Sequence, residues 1–177
     1  DRSTGQMSAA GTVFQKAKGI VDSPDAHYED NMRISRGTAD PVITRLIVEN
    51  AGETLNWLAA NGFKIVDGQP VMAGGHEGFK TARYQWGPEG GRSILHTMEP
   101  LFNAAIAKGR VNLMLNTGAV DLIQDTKGAV VGVTIEAEGG KAQDIMARNV
   151  VIASGGCCAN PRLFEDLHGT PLTTQIA

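Results

Sequence analysis

Two stretches of small residues are where this sequence can do chemistry. The first runs Thr4-Gly5-Gln6-Met7-Ser8-Ala9-Ala10-Gly11-Thr12. Short side chains let a backbone come close to a flat or charged ligand. The N–H groups and hydroxyls of such a stretch can donate to phosphate or to ring heteroatoms. The second is Val150-Val151-Ile152-Ala153-Ser154-Gly155-Gly156, an apolar run that ends in glycines. That is the pattern of a buried strand whose carboxyl end meets a ligand. A flexible loop and an ordinary turn after a core strand are the plain alternatives, and neither stretch is specific alone.

Other reactive side chains are sparse. Cys157 and Cys158 are neighbours, so they cannot staple distant parts of a fold, and a bond between them would be strained. Two packed thiols after a strand is the first reading, and a redox-active pair is the second. Their number fits a reducing, cytoplasmic compartment. No Cys/His spacing resembles a zinc site. His76, Glu77, Arg83 and Tyr84 fall in a glycine-rich loop and are candidates to line a substrate path, with a solvated loop as the default. His96 reads as a packed or capping histidine and His168 as a surface one. Arg92 sits where a helix begins, positioned for an anion or for water.

The elements that must position these residues follow from local signals. Ser23-Pro24 and Asp40-Pro41 each read as an N-cap followed by proline at the first helical position. The first helix should stop at Gly37. The second should carry Val42, Leu46, Ile47, Leu55 and Leu58 on apolar faces to Gly62, with Gly52 as an expected break between two shorter helices. Residues 64–91 read as a long loop with a short hairpin, a length that often serves function. Ile94, Leu95, Met98, Leu101, Phe102 and Ala105 recur at helical spacing over 92–108. Short strands are expected at 111–115, 120–124, 131–135 and 145–147, with turns at Asp125–Gly128 and Gly139-Gly140. The run 149–153 is expected as a strand buried on both faces. Residues 3–19 are too irregular to assign.

Composition bounds the rest. The chain has 177 residues, 42% apolar and 20% charged, with a net charge of -3. That suits one globular domain. It argues against a nucleic-acid partner, which needs a clustered basic face. No apolar run approaches the ~18 residues of a membrane span. The start at Asp1-Arg2-Ser3, with no methionine or signal segment, suggests residues upstream.

Taken together and in this order, the motifs resemble the flavoprotein subunit family of succinate dehydrogenase and fumarate reductase. That family includes soluble fumarate reductases, aspartate oxidase, tricarballylate dehydrogenase and the 3-ketosteroid dehydrogenases. Residues 4–12 are similar to its loop beside the flavin. Gln15, Lys18-Gly19-Ile20, Asp22-Ser23-Pro24, Gly37–Pro41, Leu55–Leu58 and Gly90–Thr97 follow as in members of the family. Leu115-Asn116-Thr117 with Ala119-Val120 resembles the strand at the adenine end of FAD. Ala153-Ser154-Gly155-Gly156 with Asn160 resembles the Ala-Thr-Gly-Gly ending.

The resemblance implies an α/β fold: a partial Rossmann-like FAD-binding domain over 1–177 with helices and a small antiparallel β-sheet. The first βαβ unit, with its Gly-x-Gly-x-x-Gly turn, and the capping domain are expected outside this chain. Its cofactor-binding residues would be Thr4, Gly5, Met7, Ser8, Ala9, Ala10, Gly11, Ala119, Val120, Ala153, Ser154 and Gly155. The catalytic residues would lie elsewhere. FAD would be held non-covalently, since the first histidine, His27, lies outside the loop. The implied reaction exchanges hydride between flavin and a carbon–carbon bond of a small organic acid. A 3-ketosteroid substrate and a non-enzymatic nucleotide-binding module are the alternatives. A sheet edge left open by the absent first strand would favour self-association.

Overall fold

The computed structural model describes residues 3–72, 78–137, 139–157 and 160–172. His76, Glu77 and Cys158, named above as candidates, lie outside the described residues. The chain divides into two compact units, Asp1–Leu113 and Met114–Ala177.

The first unit is built on helices. A short strand β1 (Met7–Ser8) leads into α1 (Val13–Ala17), α2 (Pro24–Ile34) and α3 (Pro41–Ala60). A second short strand β2 (Tyr84–Gln85) then precedes α4 (Gly91–Ala107). The caps fall where local chemistry places them. Ser23 accepts from the Ala26 amide and Asp40 from those of Val42 and Ile43. Each satisfies backbone donors that the first helical turn leaves open. Thr12 and Gln15 close a reciprocal capping box at α1. That Thr-x-x-Gln signature stands in the sequence, inside the stretch left unassigned.

Three expectations are corrected here. Helix α3 is unbroken through Gly52. The glycine serves a close approach instead: a Cβ at this position would lie 2.3 Å from the Ala10 carbonyl oxygen. The short hairpin expected over 64–91 is, among the described residues, a single antiparallel bridge between Val71 and Tyr84. Strand β2 of this loop pairs antiparallel with β1, matching Met7 to Gln85 and Ser8 to Tyr84. His96 is neither packed nor a cap, but lies half-exposed with Nδ1 3.5 Å from Glu89.

The core of this unit is Ala9, Leu55, Leu58 and Phe63, with Met7, Phe14, Ala51, Ile65 and Ile94 packed against it. The small-residue loop is therefore part of the core. Apolar residues at one end of α3, Val42, Ile43, Leu46 and Ile47, remain exposed.

The second unit holds a three-stranded antiparallel sheet in the order β3 (Thr117–Gln124), β4 (Val130–Ala137), β5 (Gln143–Met146), then α5 (Pro161–His168). Turn chemistry at Asp125–Gly128 joins β3 to β4, with the Asp125 carboxylate accepting from the Lys127 and Ala129 amides. Residues 111–115 do not form a strand; the sheet starts after Asn116, whose φ of 52° turns the chain. Nor is 149–153 a buried strand: Val151 is 87% exposed. An apolar run becomes a strand only beside a partner, and no described residue pairs with this one. His168, as expected, is exposed.

Candidate functional site

The loop 4–12 is held at four places. At its start, Gly5 crosses the entry to α4. The Gly91 amide donates to the Ser3 carbonyl, and a Cβ on Gly5 would lie 2.4 Å from Gly90 C and Gly91 N. Next, Met7 and Ser8 pair with β2. Ala9 and Ala10 are then buried against α3, where the missing side chain of Gly52 makes room for the Ala10 carbonyl. At its end, the Gln15 side-chain oxygen accepts from the Gly11 amide at 2.7 Å and the Thr12 amide at 3.3 Å.

Gln15 carries this restraint into a buried charge network. Its amide nitrogen donates to Asp22 at 2.8 Å and to the Ala82 carbonyl at 3.0 Å. Asp22 in turn takes both arms of Arg83, Nε at 2.6 Å and an Nη at 2.7 Å. The other Nη of Arg83 donates to Asp30, which also accepts from Arg33 and the Lys80 amide. Arg83 and Asp22 have fully buried side chains. The solvated loop expected around residue 83 is thus corrected: Arg83 faces no open path, because two carboxylates occupy it.

Electrostatics follow from burial. Desolvation would push the Asp30 carboxyl up, but hydrogen bonds from Arg83, Arg33 and Lys80 outweigh it and hold it at about 2. His27, 1% exposed, is lowered to about 4 by burial and then by the Arg83 charge, with Asp22 and Asp30 pulling the other way. Its imidazole is neutral near pH 7. An expected result follows. The folded pKa of His27 lies below its ordinary 6.5, so its share of stability is complete above pH 6.5. It falls as the pH drops from 6.5 to 4, by up to about 1.4 kcal/mol per pH unit. Urea midpoints for wild type and His27→Gln should converge over that window. Parallel profiles between pH 7 and pH 4 would contradict this.

Beside the loop lies a cleft of about 630 Å³ lined by Met7, Ser8 and Ala9 with Leu46, Ile47 and Asn50 of α3, among others. That size suits a small-molecule or cofactor site. It is mainly apolar, with the Ser8 and Thr54 hydroxyls and the Asn50 amide as polar groups. Gly11, with φ 73°, has no atom within 4 Å of where a Cβ would stand, so this backbone is open on its outer side. A flat aromatic ring system with polar edges fits such a cleft, and a phosphate chain can follow an open glycine backbone.

The remaining expected residues lie in the second unit. Ala119 and Val120 are exposed on β3 at a bulge between Ala119 and Asp121. Ala153 and Ser154 are exposed, and Gly155 has φ 84° with open space around it. The residues that sequence reasoning passed over are Asp22, Asp30, Gly52 and His27 as supports of the loop. Their partners are remote in the chain, so only Thr12 and Gln15 offered a local signal.

Among the described residues no cluster of His, Cys, Asp and Glu could hold a metal, and no helix is long and apolar enough to cross a membrane. A family model described as an FAD binding domain matches residues 1–176. The chain is 30% identical over 176 residues to a fumarate reductase (cytochrome) of Shewanella frigidimarina, covering 97% of this chain and 30% of that protein. It superposes on the open conformation of a flavocytochrome c3 fumarate reductase with TM-score 0.76 at 26% identity, covering 95% of this chain and 29% of that one. A 3-ketosteroid dehydrogenase from Rhodococcus jostii gives TM-score 0.71 at 24% identity over 93% and 39%, a likeness of fold alone. The chain spans about 30% or less of the length of the first curated relatives it matches.

Proposed function

Because the chain belongs to the FAD binding domain family, we propose that its loop 4–11 lines the flavin of an oxidoreductase that acts on a carbon–carbon bond of a small organic acid. FAD is the cofactor, and the resemblance stated from the motifs and the family match agree on it. The observation that carries the reading is the cleft beside Met7, Ser8 and Ala9, whose backbone is held in place from behind. When bound, FAD supplies the hydride chemistry. The residues of this chain would position it: Met7 and Ala9 by apolar contact, Ser8 by its hydroxyl and Gly11 by a backbone open on its outer side, with Gly5 and Ala10 shaping the loop from their buried places against α4 and α3. Thr4 closes the loop at its start.

In the second unit, Ala119 and Val120 are assigned to the adenine end, and Ala153, Ser154 and Gly155 to the ribose or pyrophosphate. The catalytic acid or base is assigned to residues outside this chain. A cytoplasmic location is the reading that cysteine usage supports. The fumarate reductase relative favours an organic-acid substrate. A 3-ketosteroid is the second reading, favoured by the fold shared with a 3-ketosteroid dehydrogenase.

The full-length protein should purify yellow with stoichiometric FAD and oxidise a reduced dye with fumarate or a related unsaturated acid. The 177-residue chain has no Gly-x-Gly-x-x-Gly turn for the pyrophosphate. Alone it should bind FAD weakly and turn nothing over. A colourless full-length protein, or activity confined to a 3-ketosteroid, would overturn the respective part. Sub-micromolar FAD binding by the isolated chain would overturn the last.

A further inference from the structure

His27 stands directly behind the loop, and its two ring nitrogens have unequal surroundings. Nε2 lies 3.3 Å from the Ser8 hydroxyl oxygen. Nδ1 is buried with no hydrogen-bond partner among the described residues. The ring edge meets Phe79 at 5.5 Å between centroids and 86° between planes, which fixes its orientation. Phe79 itself stacks on Tyr84 of β2. The charged groups facing this ring are Arg83, Asp22 and Asp30, and burial keeps it neutral.

A neutral imidazole carries one proton, on one nitrogen. On Nδ1 it would leave a buried N–H with no acceptor, which native structures rarely tolerate. On Nε2 it is donated to Ser8. The Ser8 oxygen then acts as acceptor toward His27, and its own proton must point elsewhere. Ser8 is half-buried and lines the cleft, so the cleft is where that proton can go.

We infer that His27 is a positioning residue: its Nε2–H holds the Ser8 hydroxyl as an acceptor from behind, and so presents the Ser8 proton to an acceptor atom of the flavin in the cleft. This rests on the reading that loop 4–11 lines the flavin. No residue needs to change protonation for it. A proton donor toward an isoalloxazine acceptor stabilises the reduced ring, where negative charge gathers, more than the oxidised one.

The first test needs no flavin. In protein with 15N-labelled histidine, the His27 signals, identified by their loss in His27→Gln, should show a protonated Nε2 and a bare Nδ1 at pH 7. The opposite tautomer, or a doubly protonated ring, would overturn the inference.

The second test reads the midpoint potential of the FAD-loaded full-length protein. Ser8→Ala should shift the oxidised-to-reduced ratio about tenfold toward oxidised, a fall of ~30 mV for a two-electron couple. His27→Met, which fills the space without a donor, should lower the potential in the same direction by about threefold in that ratio. His27→Gln, which keeps a donor, should restore it. The double variant Ser8→Ala/His27→Met should match Ser8→Ala alone. A shift with Ser8→Ala and none with His27→Met would remove His27 from the role. Bound FAD with no shift in any variant would overturn the inference and leave the cofactor reading standing. Failure of the wild-type full-length protein to bind FAD would sink that reading, and this one with it.

Discussion

Arg83→Met is expected to destabilise the protein by about 3–5 kcal/mol at pH 7, because removing one partner of a buried ion pair strands the others. Here two carboxylates are left behind, Asp22 and Asp30, both nearly free of solvent. Asp30 keeps Arg33 and the Lys80 amide, and Asp22 keeps Gln15. Among the described residues no other cation reaches Asp22, and Asp30 is left with the partly exposed Arg33. Burial, which pushes the Asp30 carboxyl up, then meets fewer opposing hydrogen bonds. The sign of the pH dependence follows: the deficit against wild type should narrow as the pH falls from 7 toward 5, since protonation removes the stranded charge. Urea unfolding at the two pH values checks it. Arg83→Lys should fall between, since it keeps the charge and loses the fork onto Asp22. FAD affinity should drop with stability, because Asp22 orients Gln15 and Gln15 holds the Gly11 and Thr12 amides. A pH-independent loss below about 1 kcal/mol would mean that the network carries little.

Gly5→Ala is expected to cost about 2–5 kcal/mol, from two terms of the same sign. Gly5 has φ 69°, where an L side chain loses roughly 1–2 kcal/mol. Its Cβ would also meet Gly90 and Gly91 backbone at 2.4 Å, and overpacking against atoms that cannot rotate away costs about 1–3 kcal/mol more. Gly11→Ala separates the terms. Gly11 has φ 73° but open space around it, so it carries only the backbone strain. Thermal melts of the two variants should differ by the steric term, with Gly5→Ala the less stable. Equal melting temperatures would show that the crossing of residue 5 over the start of α4 gives way at no cost.

These two residues also mark what sequence can and cannot show. Ser23-Pro24 and Asp40-Pro41 are legible because a cap and the amides it holds are at most three residues apart. Arg83 is not, since its partners Asp22 and Asp30 are 61 and 53 positions away. Its polarity and glycine-rich neighbours read as solvent-facing. Gly52 reads as a weak point because helix propensity is local, whereas its role is set by the carbonyl of residue 10. The run 149–153 has the composition of an inner strand, but composition supplies no neighbour. The loop 4–12 was found as a candidate by its small residues and by family resemblance. Of what holds it from behind, only the Thr12–Gln15 capping box is local; Asp22, Arg83 and Gly52 act across long stretches of chain and leave no local pattern.

The meeting of Gly52 with the Ala10 carbonyl has a mechanical consequence. A helix of 20 residues is a stiff rod ~30 Å long. At residue 52 the loop rests on its bare backbone. The height of residues 9–11 above α3 is therefore set by main chain against main chain, a datum surface that side-chain rotamers cannot blur. Substitutions elsewhere along α3 can alter the lining of the cleft while leaving its depth unchanged, whereas a single methyl group at 52 would act as a shim under the floor.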